Sequence, residues 1–134
     1  MLDVGQGDAI VVQGRSGALL VDGGTALPDG TDLGRSVVAP ALAALGVARL
    51  DVVAASHADL DHRGGLAGVL EAVRVARLWL PAGGLAEPGF ASSSRRRAGA
   101  TARCWCRSPA PSSRAAAPLA RRAERWRCQG EVAR

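Results

Sequence analysis

The sequence predicts an α/β layered domain over residues 1–90, and three observations carry that prediction. Runs rich in Val, Leu and Ile alternate with segments whose apolar residues recur at helical spacing, as in sheets flanked by helices. The apolar pattern stops abruptly after "GGLAEPGF" (residues 83–90), where the charge also changes sign. Finally, both histidines of the chain fall in "SHADLDHRGG" (residues 56–65), directly after a strand-like run, a position favoured for ligand sites in such sheets.

Taken in order, "MLDV" is a short apolar start that places Met1 directly on a first strand, and "GQGD" is a turn-rich break. "AIVVQG" and "ALLVDGG" are β-rich runs joined by the polar "RSG" turn and read as a hairpin. In "TDLGRSVVAPALAALG", Thr31 or Asp32 caps a helix carrying Leu33, Val37, Val38, Leu42 and Leu45, with Gly46 as its stop. Pro40 implies a kink or a late start within it. "LDVVAAS" is a continuous apolar run of strand length, the kind buried on both faces of a sheet. "GLAGVLEAVR" reads as a second helix with Leu66, Val69, Leu70 and Val73 on one face. "VARLWLP" is a further strand, ended by Pro81.

Residues 91–134 have a different character. They contain only Leu119 and Val132 from the Val, Leu and Ile set, and nothing after Phe90 reads as a strand or as a helix with a core face. So little apolar content does not offset the entropy of ordering, and a disordered tail is predicted. A short basic helix over "APLARRAERWR" is the one local exception. Residues 1–90 carry six Arg against ten Asp and Glu, a net of −4, whereas the tail carries eleven Arg against two Glu, a net of +9. The basic balance therefore belongs to the tail, and an inference to nucleic acid applies there and not to the core. Cys104, Cys106 and Cys128 also lie in the tail; three cysteines without a Cys-x-x-Cys pair form neither a disulfide framework nor a zinc ribbon. The longest apolar candidate for a membrane span, "VVAPALAALGVARLDVVAAS", is broken by Pro40, Arg49 and Asp51. No signal peptide is visible either, so the chain as written is expected to be soluble.

His57, Asp59, Asp61 and His62 put two imidazoles and two carboxylates on one short loop. While the chain is still extended, alternate positions 57, 59 and 61 face one side, and His62 turns in as a helix begins. Imidazole nitrogen with carboxylate oxygen suits Zn²⁺, or Mn²⁺ and Fe²⁺ where oxygen predominates. Gly64 and Gly65 are read as letting the backbone turn tightly and approach a bound ion or anion. A helix starting near Leu66 would aim free N–H groups at an anionic substrate. The bland reading is a solvated His/Asp pair, and four ligand-type residues in six positions, ending a buried strand, fit it poorly.

"LDVGQGDA", "LLVDGG" and "SHADLDHRGG", in that order, resemble the metallo-β-lactamase superfamily, and more narrowly the metallo-β-lactamase-type domain of ComEC competence (DNA-uptake) proteins. The superfamily signature is H-x-H-x-D-H; the ComEC-type version has Asp at the second His, as Asp59 is here. "LGVARLDVVAAS" and "VARLWLP" match in order and spacing, so the resemblance covers about residues 1–90. It implies the N-terminal half of an αββα sandwich holding one or two ions of Zn²⁺, with Mn²⁺ as the alternative. His57 and Asp59 would contribute to one metal position, and Asp61 and His62 to a second. Asp61 is the catalytic candidate, ligating metal or orienting the water. Asp22, in "VDGG", and Asp8, in "GQGD", are possible site-edge residues, with a turn-stabilising Asx role standing equally beside that one. The implied reaction is metal-assisted hydrolysis of a phosphodiester, with a DNA strand as substrate during uptake. The implied partners are DNA and the membrane channel portion of a ComEC-like protein, and family members reside in the bacterial cell membrane.

The superfamily completes its site with later ligands that include His, and no His follows His62. The metal site is thus expected to be incomplete, in a chain truncated or frameshifted after about residue 90. Enriched Arg, Ala, Ser, Pro, Trp and Cys in the tail are what GC-rich DNA gives when read out of frame. The alternative is a genuine basic tail that binds nucleic acid electrostatically, with Trp105 and Trp126 stacking on bases. Two rival functions follow: a stand-alone metallo-hydrolase of a small thioester, lactone or β-lactam, and a non-enzymatic nucleic-acid-binding module run by the Arg-rich tail.

Overall fold

The computed structural model describes residues 1–82, 84 and 87–90, and the backbone of residues 101–105. It is a mixed α/β structure built on a five-stranded sheet. Strands β1 (Ile10–Gly14) and β2 (Gly17–Val21) form the expected hairpin, antiparallel with Gly14 opposite Gly17. Strands β4 (Val52–Ala54), β6 (Arg77–Pro81) and β7 (Thr101–Trp105) then extend the sheet in parallel, in the order β1-β2-β4-β6-β7. Two-residue strands β3 (Arg49–Leu50) and β5 (Arg74–Val75) pair separately, also in parallel.

Three sequence expectations need correction. Residues 1–9 are not a strand: they precede β1 as irregular chain, tied by the Leu2 N–H to the Ala9 carbonyl. "LDVVAAS" and "VARLWLP" are each broken in two, at Asp51 and Ala76. Asp51 leaves the ladder because its N–H donates to the Ala18 carbonyl and its carboxylate accepts the Ala18 N–H, crossing to β2. Third, a strand does follow Phe90: Thr101–Trp105 lies along β6 in register, from Arg77 opposite Thr101 to Pro81 opposite Trp105. Ladder hydrogen bonds use only main chain, so an Ala- and Arg-containing segment can close an open edge without an apolar alternation to announce it. The basic helix expected over residues 117–127 lies outside the described residues.

The helical segments behave largely as expected. Asp32 caps the first of them, its carboxylate accepting the Arg35 N–H at 3.1 Å. A π-helical turn (Gly34–Val38) leads into α1 (Ala39–Ala44), which carries Pro40 in its first turn, and Gly46 ends it at φ 74°. Helices α2 (Leu60–Arg63) and α3 (Leu66–Ala72) follow the His/Asp loop. Leu42, Leu66, Val69 and Leu70 pack with Leu20, Val53, Leu78 and Leu80 of the sheet into one buried core, closed by Phe90. The alternate strand positions Ile10, Val12, Leu19, Val21, Ala54 and Trp79 point to the other face and stay partly or fully exposed. No helix among the described residues is long and apolar enough to cross a membrane.

Candidate metal centre

Val21 and Ala54 are register partners at the C-terminal ends of parallel strands β2 and β4. The next residues of both strands therefore emerge side by side: Asp22 from one, and Ala55 to His57 from the other. A backbone staple binds the two exits together. The Asp22 N–H donates to the Ala54 carbonyl at 2.8 Å, the Gly23 N–H to His62 at 2.8 Å, and the Gly65 N–H to Gly24 at 2.9 Å. This is the edge at which ligand sites form in α/β sheets.

Glycine's role here differs from the one read in the sequence. Gly64 and Gly65 have ordinary right-handed helical backbone, φ −56° and −78°, so no special turn calls for them. They are glycines because backbones meet. A Cβ on Gly65 would lie 2.1 Å from the Gly23 carbonyl oxygen and 2.6 Å from the Gly34 nitrogen. A helix does start at Leu66, as expected, with the short α2 just ahead of it, and the Gly65 N–H before α3 is spent on Gly24. Gly7 makes a similar approach on the other side: at φ +88°, its Cβ would meet the Asp61 carbonyl oxygen at 1.7 Å.

Asp22 is the organising residue. It is buried, and it holds a left-handed backbone conformation at φ 59°, which Asp tolerates better than most residues. Its carboxylate accepts the Ser56 N–H on Oδ1 at 2.7 Å, and on Oδ2 the Ser56 hydroxyl at 2.6 Å and His62 Nδ1 at 3.0 Å. These partners lie 34 and 40 residues away, which separates Asp22 from a local Asx turn. The hydrogen bond that His62 donates to Asp22 raises the His62 pKa; burial opposes the rise, and the charges of Asp22, Asp61 and Asp8 add to it.

Around this anchor the other candidates are unequal. One donor atom each from Asp22, His57 and His62 lies within 4.8 Å of the others, a group able to hold a metal ion. The two imidazole rings are 3.9 Å apart at their centroids, tilted by 49°. Asp59, exposed, reaches His57 Nε2 at 3.3 Å. Asp61 Oδ2 stands 3.8 Å from His62 Nε2, and Asp8 Oδ2 3.8 Å from His62 Nδ1. All six sequence candidates thus share one mouth, with Asp22 promoted from the edge to its centre. With three donors already on its carboxylate, Asp22 is better suited to orienting the imidazoles than to ligating. Carboxylate–histidine pairs behind a metal characteristically do this.

Two residues escaped the sequence reading. Ser56 joins Asp22 to His57, and its only signal was a hydroxyl at the strand end before the first His. Arg63 braces the loop from behind, donating from Nε to the Ala58 carbonyl at 2.5 Å and from a terminal nitrogen to Gly89 at 3.0 Å. Nothing local in the sequence marks that role, since Gly89 is 26 residues away.

Comparison with known proteins now decides the family. Residues 2–131 match the Metallo-beta-lactamase superfamily. The chain belongs to that superfamily. It is also similar to ComE operon protein 3 of Bacillus subtilis (strain 168), with 35% identity over 100 residues, 66% of this chain and 13% of that protein. A second relative, the uncharacterized protein YcaI of Escherichia coli (strain K12), is 44% identical over 70 residues, 52% of this chain and 9% of that protein. The matched region is thus a small part of both relatives. No solved structure matches the chain.

Proposed function

We propose that this superfamily member is the metal-binding portion of a hydrolase that cleaves phosphodiesters of DNA during uptake, working with the membrane channel portion of a ComEC-like protein. The observation that carries the reading is the convergence of His57 and His62 in front of the buried Asp22 at the ends of two parallel strands. The similarity to ComE operon protein 3 supports the ComEC-like assignment.

The donor set fits a divalent ion. Two ligands at about 2.0–2.2 Å in tetrahedral geometry stand roughly 3.3 Å apart, and His57 Nε2 lies 3.3 Å from Asp59 Oδ2. We assign His57, Asp59, Asp61 and His62 as the residues that would hold one or two ions of Zn²⁺, with Mn²⁺ as the alternative. The chemistry an ion supplies there is Lewis acidity toward a phosphoryl oxygen and toward water.

The chain's own residues do the rest. Asp22 orients His62 and resists its rotation. Asp61, partly exposed at the mouth, would ligate metal or orient the attacking water through its carboxylate. Asp8 adds negative charge near His62 Nδ1, the nitrogen that meets Asp22.

The test is metal content of the purified chain, wild type beside His57→Ala/His62→Ala, followed by cleavage of labelled single- and double-stranded DNA. The reading expects roughly one or more Zn²⁺ or Mn²⁺ per chain, lost in the double variant, and cleavage abolished by Asp61→Asn. DNA binding that is steeply salt-dependent and survives loss of both histidines, with no metal bound, would refute it in favour of the basic tail.

A further inference from the structure

Ser56 sits between two groups that otherwise do not touch. Its backbone N–H donates to Asp22 Oδ1 at 2.7 Å, and its Oγ lies 2.6 Å from Asp22 Oδ2 and 2.7 Å from His57 Nδ1. The hydroxyl has one hydrogen to donate and lone pairs to accept with. A carboxylate oxygen has none to give, so the Ser56 hydrogen goes to Asp22, and the 2.6 Å separation is that of a charge-assisted O–H···O⁻ bond. The second short contact then requires a hydrogen from the other side, on His57 Nδ1.

We infer that Ser56 is a positioning residue whose hydroxyl, donating to Asp22 and accepting from His57 Nδ1–H, holds His57 in the tautomer with Nε2 free. One buried carboxylate thereby orients both imidazoles: His62 directly and His57 through one hydroxyl. The consequence shows on the far side of the ring. With hydrogen fixed on Nδ1, the neutral ring's Nε2 lone pair faces Asp59 Oδ2 at 3.3 Å, two acceptors reconciled by a shared cation, either a metal ion or a second proton on Nε2. Without the Ser56 relay, His57 is free to carry its hydrogen on Nε2 and donate it to Asp59, which blocks the ligating nitrogen.

The cation's identity as a metal rests on the function proposed above, and the experiment separates the two claims. The ¹⁵N shifts of the His57 ring, recorded on chelator-treated protein at about pH 8, report the tautomer with no metal present. Zn²⁺ affinity, measured by competition with a chromogenic chelator, reports the site. The expected result is Nδ1–H in the wild type, a shift toward Nε2–H in Ser56→Ala, and a loss of roughly 10–100-fold in Zn²⁺ affinity, as for other residues behind a metal ligand. Ser56→Thr keeps a hydroxyl in place and restores both readouts. A wild-type His57 that is predominantly Nε2–H overturns the inference outright, whether or not any variant folds. An unchanged tautomer in folded Ser56→Ala does the same. A protein with the Nδ1–H signal that binds no Zn²⁺ overturns the metal reading and leaves the positioning role standing.

Discussion

Gly65→Ala sets two physical effects against each other. Gly65 has right-handed helical backbone immediately before α3, a conformation alanine shares, so backbone entropy alone predicts that alanine stabilises the protein by roughly 0.4–1 kcal/mol. Packing predicts the opposite. The added Cβ meets the Gly23 carbonyl oxygen at 2.1 Å and the Gly34 nitrogen at 2.6 Å, and both are backbone atoms with no rotamer to escape into. Restoring a contact of about 3.5 Å demands more than about 1 Å of movement between α3 and the Asp22–Gly24 turn. Overpacking of that kind costs about 1–3 kcal/mol or more. The movement also strains the Gly65–Gly24 and Gly23–His62 backbone bonds, at roughly 1 kcal/mol each. Packing wins by a net of about 2–4 kcal/mol, a large share of the roughly 5–15 kcal/mol a domain has in total. Urea unfolding of metal-free protein measures it, with the midpoint expected to fall by about 1–2 M. Gly46→Ala is the control: at φ +74° with nothing within 4 Å of the added methyl, it bears only the local backbone penalty, about 1–2 kcal/mol. A Gly65→Ala protein as stable as wild type would refute the backbone-contact argument and leave the Gly-Gly pair without a structural explanation.

Three further expectations test other links. His62 has its pKa raised above about 6.5 by Asp22, so the stability it lends metal-free protein is complete below 6.5 and fades as pH rises through the folded value. Zn²⁺ affinity should rise over the same interval as the competing proton leaves, and Asp22→Asn should bring the His62 midpoint, read by NMR, back down. Arg63→Met keeps the aliphatic stem but loses the bonds to Ala58 and Gly89; a loss of about 2 kcal/mol is expected, with faster amide exchange over residues 57–59. The out-of-frame proposal for residues 91–134 is checked by translating the coding DNA in its other two frames. It fails if neither frame supplies strands and a further His.

What the sequence makes legible is what local chemistry controls. The β1–β2 hairpin, the Asp32 cap, the Gly46 stop and the core face Leu66, Val69, Leu70 each follow from residues within a few positions of one another. The candidate site is legible for the same reason, since His57, Asp59, Asp61 and His62 fall within six positions. The misreadings arise where distant backbone intervenes. Asp51 breaks a strand because Ala18 bonds it, and β7 exists because β6 offers an open edge. Gly65 is needed because Gly23 and Gly34 press on it, and Asp22 reaches the centre because β2 lies beside β4.

That last pairing also decides how the candidate site should be understood. A loop with four ligand-type residues is common enough to form and dissolve with its own flexibility. Here the two imidazoles are referred to one buried carboxylate on a different strand, held by sheet register and by three backbone bonds between the exits. Their geometry is therefore a property of the sheet rather than of the loop. It follows that substitutions at the β2–β4 seam should disturb metal affinity, because they move the one carboxylate to which both rings are referred. Leu20→Ala, buried opposite Val53 and remote in sequence from every ligand, is the decisive case. It should lower Zn²⁺ affinity in protein that remains folded, whereas Leu60→Ala, exposed and inside the ligand loop itself, should leave affinity within about twofold. The reverse ranking would return control of the site to the loop.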